Sequence, residues 1–169
     1  MDLVVREARE SELERVGLLT GEVYESEGLA GPEYLQVLRD ARARWESPAT
    51  TLLVAFDDGA EEAQDLLGTV VYAAPGSPWQ DLATGAEAEF RMLATAPPAR
   101  GRGVGEALVR ACIERAKKAG APRLVLSTGP QHLAAHRLYD RLGFARTPER
   151  DWRPRADLDF VLRAYALAL

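Results

Sequence analysis

The stretch from Glu89 to Gly105 reads Glu-Phe-Arg-Met-Leu-Ala-Thr-Ala-Pro-Pro-Ala-Arg-Gly-Arg-Gly-Val-Gly. A strand-like run ends at two prolines, and the loop that follows holds two arginines and three glycines within six residues. A long amphipathic helix begins directly afterwards. This order presents bare backbone N–H groups at the positive end of a helix. The stretch therefore predicts a site for the phosphate or pyrophosphate of a cofactor.

Length and composition predict one soluble globular domain over residues 1–169, because the chain is 47% hydrophobic and 28% charged. The net charge of −5 and the lack of a basic stripe argue against nucleic acid as a partner. The N-terminus lacks the apolar core of a signal peptide, and no apolar run approaches the ~18–20 residues that span a bilayer. We therefore expect no membrane partner and a cytoplasmic location. Cys112, the single cysteine, is expected to be a buried core thiol.

Hydrophobic periodicity predicts a mixed α/β chain. The predicted strands cover residues 3–8, 50–56, 66–74, 87–95, 123–128 and 158–167. The first predicted helix begins at a capping box formed by Ser11 and Glu14. Three further helices are predicted over residues 32–45, 103–119 and 131–142. The resulting order β-α-α-β-β-β-α-β-α-β indicates a mixed sheet with helices on both faces.

Three familiar phosphate-binding patterns fit the loop poorly. The Rossmann pattern needs Gly-x-Gly-x-x-Gly, whereas Gly101, Gly103 and Gly105 give Gly-x-Gly-x-Gly. If the count starts at Gly103, Leu108 occupies the position of the third glycine. The Walker pattern needs a Gly-Lys-Ser/Thr ending, which the chain lacks, and the other kinase motifs are missing too.

A different pattern fits well. Arg100-Gly101-Arg102-Gly103-Val104-Gly105 matches the Arg/Gln-x-x-Gly-x-Gly/Ala motif of the GCN5-related N-acetyltransferases. The chain resembles that superfamily over most of its length, most strongly from Glu89 to Phe144. Leu93-Ala94-Thr95 before the prolines resembles the strand end that precedes the family's cofactor loop. Ala135-x-x-Leu138-Tyr139-x-x-x-Gly143-Phe144 resembles the family's late helix and its closing Gly-Phe.

The resemblance implies the acyl-CoA N-acyltransferase fold and acetyl-CoA as the cosubstrate. That fold is a mixed, mostly antiparallel sheet in which parallel strands 4 and 5 splay apart, with helices on both faces. Glycines would let the pyrophosphate approach the backbone closely, and the pantetheine arm would pair with the edge of the fourth strand. The expected cofactor-binding residues, which act largely through their main chain, are Leu93, Ala94, Thr95, Arg100, Gly101, Arg102, Gly103, Val104, Gly105 and Glu106. The arginine side chains could face solvent or the 3′-phosphate.

Glu89 is the candidate general base. Attack on a thioester requires a neutral amine, so a proton must leave the nitrogen directly or through water. Glu89 lies fourteen positions before Gly103, where the resemblance implies the strand glutamate that is the base in histone-acetylating members. Glu87 and ordered water are alternatives, and Glu89 could instead pair with Arg91.

Tyr139 is the candidate acid for the departing thiolate. It matches the family's late-helix tyrosine, and a phenol with a pKa of ~10 is a suitable proton donor to a thiolate of similar basicity. The alternative is a core tyrosine, because Ala135, Leu138 and Leu142 form an apolar stripe with it.

Two histidines lie on the same predicted helix. Many family members carry an asparagine seven residues before the tyrosine, where it helps to hold the cofactor, and His132 occupies that position here. The cofactor contact at this point is therefore open. His132 and His136 have a spacing that can bind a metal, but no acidic partner motif accompanies them, so no metal site is expected.

These features predict an acetyl-CoA-dependent N-acetyltransferase that acts on a primary amine by direct attack in a ternary complex. An acyl-enzyme is not expected, because Cys112 is predicted to be structural. The acceptor would be a small-molecule or peptide amine, and the acidic residues within 22–34 suit a cationic one. The alternative is a non-catalytic acyl-CoA-binding or sensor domain of the same fold. A homodimer is in keeping with the resemblance, and the apolar tail over 164–169 could contribute to it.

Overall fold

One seven-stranded sheet organises the part of the chain that the computed structural model describes, residues 2–155 and 159–169. The strand order is β1-β2-β3-β4-β5-β7-β6. Neighbouring strands are antiparallel except for β4 and β5, which are parallel. The strands are β1 (Leu3–Glu7), β2 (Thr50–Asp57), β3 (Gly68–Ala73), β4 (Ala88–Thr95), β5 (Arg123–Thr128), β6 (Ala145–Arg146) and β7 (Arg163–Ala168).

The helices cover both faces of this sheet. They are α1 (Leu13–Ser26), α2 (Pro32–Arg39), α3 (Ala41–Trp45), α4 (Val104–Lys118) and α5 (Leu133–Arg141). All six residues of β3 are buried, as expected for a strand that has helices against both of its faces. Gly68 at the start of β3 allows α4 to pack closely, since a Cβ there would lie 2.7 Å from Val104 Cγ1. The helix after the glycine loop is thereby fixed on the sheet.

A β-bulge in β4 separates the two parallel strands. Thr69 pairs with Ala94 and Val71 with Arg91, so β4 has one extra residue over this span. Met92 adopts a left-handed φ of 56°, which costs a non-glycine residue about 1–2 kcal/mol. Bulges increase twist and bend the strand. Among the described residues β4 therefore pairs with β5 only at Ala88 and Glu89, and the two strands splay apart beyond that point, as the family resemblance implied.

Most predicted elements are present with shifted ends, and three differences have clear causes. The predicted helix over 32–45 is two helices, because Asp40 leaves the helical conformation and its carboxylate accepts the N–H of Ala43 at the start of α3. The Ser11–Glu14 capping box was wrong: a 3-10 turn at Glu10–Glu12 precedes α1. There the carboxylate of Glu12 accepts the N–H of Arg9 at 2.7 Å.

The third difference is at the C-terminal end. The short strand β6 was not predicted, because two residues carry too little periodicity to be recognised. The last strand was predicted to begin at Leu158, which lies outside the described residues. In the described part β7 begins at Arg163 and pairs with both β5 and β6.

Candidate active site

The splay between β4 and β5 opens into a cleft of about 830 Å³. One end of the cleft is lined by the glycine loop and the start of α4, and the other by α1, the α1–α2 connection and the segment after β6. The exposed edge of β4 runs between these ends, and α5 closes one side. The cleft is large enough for a cofactor arm and a small acceptor side by side.

The glycine loop presents its backbone to the cleft. Gly101 and Gly103 adopt left-handed φ values of 82° and 81°, which glycine accepts without strain. No heavy atom lies within 4 Å of the point where a Cβ would stand on either residue. Gly103 caps the N-terminus of the fifteen-residue helix α4, where free N–H groups and the helix dipole favour an anion. This loop therefore fits a phosphate or pyrophosphate group.

The charged residues of the loop have different positions. Arg100 lines the cleft, as do Gly101, Gly103 and the residues that begin α4. Arg102 does not line it: its guanidinium forms a bidentate ion pair with Asp57. Glu106 lines the cleft, but its carboxylate is paired with Arg110 at 3.2 Å and with Arg141 at 3.0 Å.

The edge of β4 offers backbone to the cleft. Leu93 and Thr95 line the cleft, whereas Ala94 is buried and faces its partner Thr69 on β3. Beyond Glu89, the main chain of β4 has no pairing with β5 among the described residues. An amide-bearing ligand arm could therefore pair with this edge as an additional strand would.

Glu89 is fully buried on β4 and lines the cleft. Its Oε1 accepts three backbone N–H groups, from Asp81 at 3.0 Å, Leu82 at 2.8 Å and Ala83 at 2.9 Å. Its Oε2 has no hydrogen-bond partner among the described residues. Burial raises the pKa of Glu89, and the N–H donors counteract this only in part, so the pKa lies above its ordinary value. The carboxylate thus has one anchored and one free oxygen.

Arg91 does not pair with Glu89 by a hydrogen bond. Its guanidinium forms an ion pair with Asp81 at 2.9 Å, and it donates to the carbonyl of Trp79 at 2.9 Å and to the hydroxyl of Tyr34 at 3.2 Å. The predicted alternative of a Glu89–Arg91 pair is therefore not found. Arg91 instead ties the loop before β4 to α2.

Glu87, the other candidate base, is committed to a charge cluster. It is buried and accepts from Arg123 Nε at 2.7 Å and from Arg150 Nη2 at 2.8 Å. Burial alone would raise the pKa of Glu87, but hydrogen bonds from both arginines and from the Thr84 N–H lower it to about 2. Glu87 does not line the cleft. A permanently charged carboxylate with both oxygens occupied is poorly suited to accept a proton.

Tyr139 on α5 lines the cleft and also belongs to the core. Its ring packs against Phe90, Phe144 and Tyr165, with centroids 5.6–5.9 Å apart. Burial raises the pKa of its phenol above the ordinary value, so the hydroxyl stays protonated over the physiological range. The ring is therefore a core element whose side chain also lines the cleft, and the role of Tyr139 as an acid stays a prediction.

The two histidines of this region have different partners. His132 lines the cleft, with its Nε2 2.8 Å from Glu27 Oε2. His136 is buried, and its Nε2 lies 3.0 Å from the carbonyl oxygen of Gly129. No group of three or more potential metal-ligating side chains is found in the described part of the chain. Cys112 is fully buried on α4, away from the cleft lining, and burial raises the pKa of its thiol.

Sequence reasoning missed three parts of this site. The N–H groups of residues 81–83 are main-chain donors, which no side-chain pattern announces. Arg150 reaches Glu87 across 63 residues, and Asp57 reaches Arg102 across 45. These partners come together only through the sheet topology.

The comparison with known families agrees with the geometry of the cleft. The model of the acetyltransferase (GNAT) family matches residues 20–144, which include the cleft-lining strand, the glycine loop and α5. The chain belongs to this family. The family resemblance inferred from the sequence and the fold are thereby confirmed, and the family is one of acetyltransferases.

Individual relatives show the extent of the likeness. A mycothiol acetyltransferase from Cellulomonas flavigena is 37% identical over 114 aligned positions, and the match covers 64% of this chain and 31% of that protein. The chain thus matches about a third of the length of this curated relative. A GCN5-related N-acetyltransferase from Kribbella flavida has a TM-score of 0.70 at 26% identity, covering 99% of this chain and 98% of that one. An acetyltransferase structure from Salmonella typhimurium with its cofactor acetyl-CoA has a TM-score of 0.68 at 17% identity, covering 100% and 95% of the two chains.

Among the helices in residues 2–155 and 159–169, none is both long and apolar enough to span a bilayer.

Proposed function

We propose that this GNAT enzyme transfers an acetyl group from acetyl-CoA to a primary amine by direct attack in a ternary complex, with residues 1–169 acting as one domain. One observation carries the proposal: a single cleft joins a left-handed glycine loop to a buried carboxylate oxygen that has no hydrogen-bond partner in residues 2–155 and 159–169. The loop suits the pyrophosphate of a coenzyme, and the carboxylate suits an amine.

The part of the site that would bind the cofactor consists mainly of backbone groups. Gly101, Gly103 and the first turn of α4 would bind the pyrophosphate, with Arg100 supplying charge from the cleft wall. The free edge of β4 at Leu93 and Thr95 would pair with the pantetheine amides. The Salmonella structure of the same fold with its cofactor acetyl-CoA supports acetyl-CoA as the ligand.

Glu89 is the proposed base. Its Oε1 is fixed by three N–H groups, so Oε2 is the oxygen that accepts a proton from the amine, directly or through water. A base works best when its pKa lies near the operating pH, and burial moves the pKa of Glu89 in that direction. The neutral amine nitrogen then attacks the carbonyl carbon of the thioester, and backbone N–H groups on the free edge of β4 polarise that carbonyl.

Tyr139 is the proposed acid. Its side chain reaches the same cleft, where the hydroxyl can donate to the sulfur as the carbon–sulfur bond breaks, and the proton that the nitrogen loses after its attack restores the phenol. Burial in the cleft without cofactor raises the pKa of this phenol and opposes the donation, so the matched basicity argued from the sequence does not hold there. Cys112 supports direct transfer, because a buried thiol with a raised pKa outside the cleft is a poor nucleophile. The acceptor is a small-molecule or peptide amine, while a homodimer and a cytoplasmic location stay predictions from the sequence.

Binding and turnover together test this proposal. Calorimetry with acetyl-CoA, NADH and ATP should show binding of acetyl-CoA alone, and a broad amine panel should reveal release of free coenzyme A thiol. Double-reciprocal plots for an accepted amine should intersect, since both substrates are bound before transfer. Acetyl-CoA binding without turnover would favour the non-catalytic alternative, and binding of NADH or ATP instead would contradict the cofactor assignment.

A further inference from the structure

The loop that anchors Glu89 is itself held by an arginine from a distant turn. Arg150 ends a 3-10 turn at Pro148–Arg150, shortly after β6. Its Nη2 donates to the carbonyl oxygen of Leu82 at 3.0 Å and to Oε1 of Glu87 at 2.8 Å, while Nη1 donates to Oε2 of Glu87 at 3.1 Å. Glu87 Oε1 in turn accepts the N–H of Thr84 at 2.9 Å. The guanidinium therefore holds residues 82–84 at two points, at Leu82 directly and at Thr84 through Glu87.

Because a peptide unit is planar, the contact of Arg150 with Leu82 also constrains an N–H group that contacts Glu89. The carbonyl of Leu82 and the N–H of Ala83 belong to one rigid peptide unit and point in opposite directions. Arg150 fixes the carbonyl end, and the N–H end donates to Oε1 of Glu89 at 2.9 Å. The bonds to Leu82 and Thr84 hold the peptide units on both sides of Ala83. The orientation of the N–H groups on Glu89 thus depends on a residue that does not line the cleft.

We propose that Arg150 is a positioning residue for Glu89: by holding Leu82 and Glu87, it keeps the N–H groups of residues 81–83 on Oε1 and leaves Oε2 free for the amine. The inference rests on the proposed function, because keeping Oε2 of Glu89 free matters for the reaction only if Glu89 is the base. Arg150 acts here through the geometry of the loop rather than through contact with either substrate.

The competing explanation is that Arg150 affects Glu89 through its charge alone. The charged groups near Glu89 are Arg91 on the same strand, Asp81 in the loop, and the pair of Arg150 and Glu87. Tyr34 contributes the titratable hydroxyl that contacts Arg91. If Arg150 acted only by its charge, Arg150→Lys would leave the pKa of Glu89 where it is. Glu87→Gln would lower that pKa, because it removes a neighbouring negative charge.

Positioning predicts a rise in the pKa of Glu89 for both variants, where charge alone predicts no change for Arg150→Lys and a fall for Glu87→Gln. A lysine ammonium cannot bind Leu82 and both oxygens of Glu87 at once, and a glutamine at 87 loses the bidentate pair. In each case the N–H donors loosen, the carboxylate form of Glu89 loses stabilisation, and its pKa rises by about 1. Titration of ¹³C-carboxyl-labelled glutamate by NMR measures this directly, with the Glu89 signal assigned by its absence in Glu89→Gln.

Two further measurements complete the test. Arg123→Lys is the matched control: it keeps the charge, and among the described residues Arg123 contacts Glu87 but none of residues 81–83, so it should leave the pKa of Glu89 unchanged. In turnover, the acidic limb of kcat/KM should move to higher pH in Arg150→Lys, with the Kd of acetyl-CoA unchanged. If Glu87→Gln does not fold, the lysine variant decides alone.

The possible failures are distinguishable. No transfer on the amine panel, or an unaltered pH profile in Glu89→Gln, would contradict the proposed function. A Glu89 pKa that stays constant or falls in Arg150→Lys would overturn the positioning role, whatever the activity.

Discussion

The guanidinium of Arg102 is paired through both terminal nitrogens with the carboxylate of Asp57 at the end of β2. The loop's second arginine is therefore turned toward the sheet end, whereas Arg100 lines the cleft. The pairing holds the pKa of Asp57 below its ordinary value through the hydrogen bond from Arg102. Two arginines that look equivalent in the motif thus have different surroundings.

The first prediction separates these two arginines. Arg100→Ala should weaken acetyl-CoA binding about tenfold, the size of one charge-assisted contact to a phosphate, whereas Arg102→Ala should change it by less than about twofold. Calorimetry at low and moderate salt measures both, and the Arg100 effect should shrink as salt screens it. Equal losses in the two variants would mean that Arg102 leaves Asp57 when the cofactor binds.

The second prediction concerns two glycines of the loop. Gly103→Ala should destabilise the protein by about 1–2 kcal/mol, because its φ of 81° is strained for alanine although space is available. Gly105→Ala should stabilise it by about 0.5–1 kcal/mol, because Gly105 lies within α4. A Cβ at Gly105 would make only ordinary contacts, 3.5 Å from Leu138 Cδ2. Thermal unfolding without cofactor measures the pair, and a loss of stability for both variants would contradict the conformational argument.

The third prediction concerns acid stability. The pKa of Glu87 is about 2 in the folded protein and near 4.5 when unfolded, so its contribution is present above pH 4.5 and is lost as the pH falls toward 2. Glu87→Gln should therefore be less stable than the wild type by about 2 kcal/mol at pH 7, allowing for the half-exposed Arg123. Denaturant titrations at pH 7, 4 and 2.5 should show this difference shrinking.

Glu46→Gln is the control for the third prediction. Glu46 pairs with Arg42 at 3.4 Å on the surface, where ion pairs contribute little. Its effect should be small at every pH. A difference between Glu87→Gln and the wild type that grows toward pH 2.5 would reverse the assigned sign.

The fourth prediction concerns the proposed acid. Tyr139→Phe keeps the ring contacts with Phe90, Phe144 and Tyr165, so its melting temperature should change little. Its kcat should fall about 10²-fold, because a positioned proton donor is lost, while the Kd of acetyl-CoA stays the same. Tyr165→Phe is the matched control, since Tyr165 lies in the same cluster outside the cleft lining. Equal kcat values for Tyr139→Phe and the wild type would leave Tyr139 with a packing role only.

The sequence predicted the parts of the site that are local and depend on residue type. The glycines of residues 101–105 indicated a loop with accessible backbone before a helix, and in the structure Gly101 and Gly103 adopt the positive φ that few other residues accept. The bulge at Met92 could not be predicted, since methionine has no preference for that conformation and the register with β3 imposes it. Likewise the charge cluster of Glu87 joins residues from β5 and the turn after β6, which only the completed sheet brings together.

The fifth prediction is that Glu89→Gln is no less stable than the wild type at neutral pH. Burial raises the folded-state pKa of Glu89 above its unfolded value, so the folded protein holds this proton more tightly than the unfolded chain does. The associated stability is present below the unfolded pKa and is lost as the pH rises through the folded one. Glutamine does not titrate, and its carbonyl can still accept the N–H groups of residues 81–83.

Melting temperatures of wild type and Glu89→Gln across pH 4–8 test this sign. The variant should equal or exceed the wild type at pH 8 and lose that advantage toward pH 4, while its turnover is reduced throughout the range. A carboxylate retained for structure would behave in the opposite way, as Glu87 is expected to do. A marked loss of stability in Glu89→Gln at pH 8 would therefore place Glu89 among the structural ion pairs and remove the physical argument for a base.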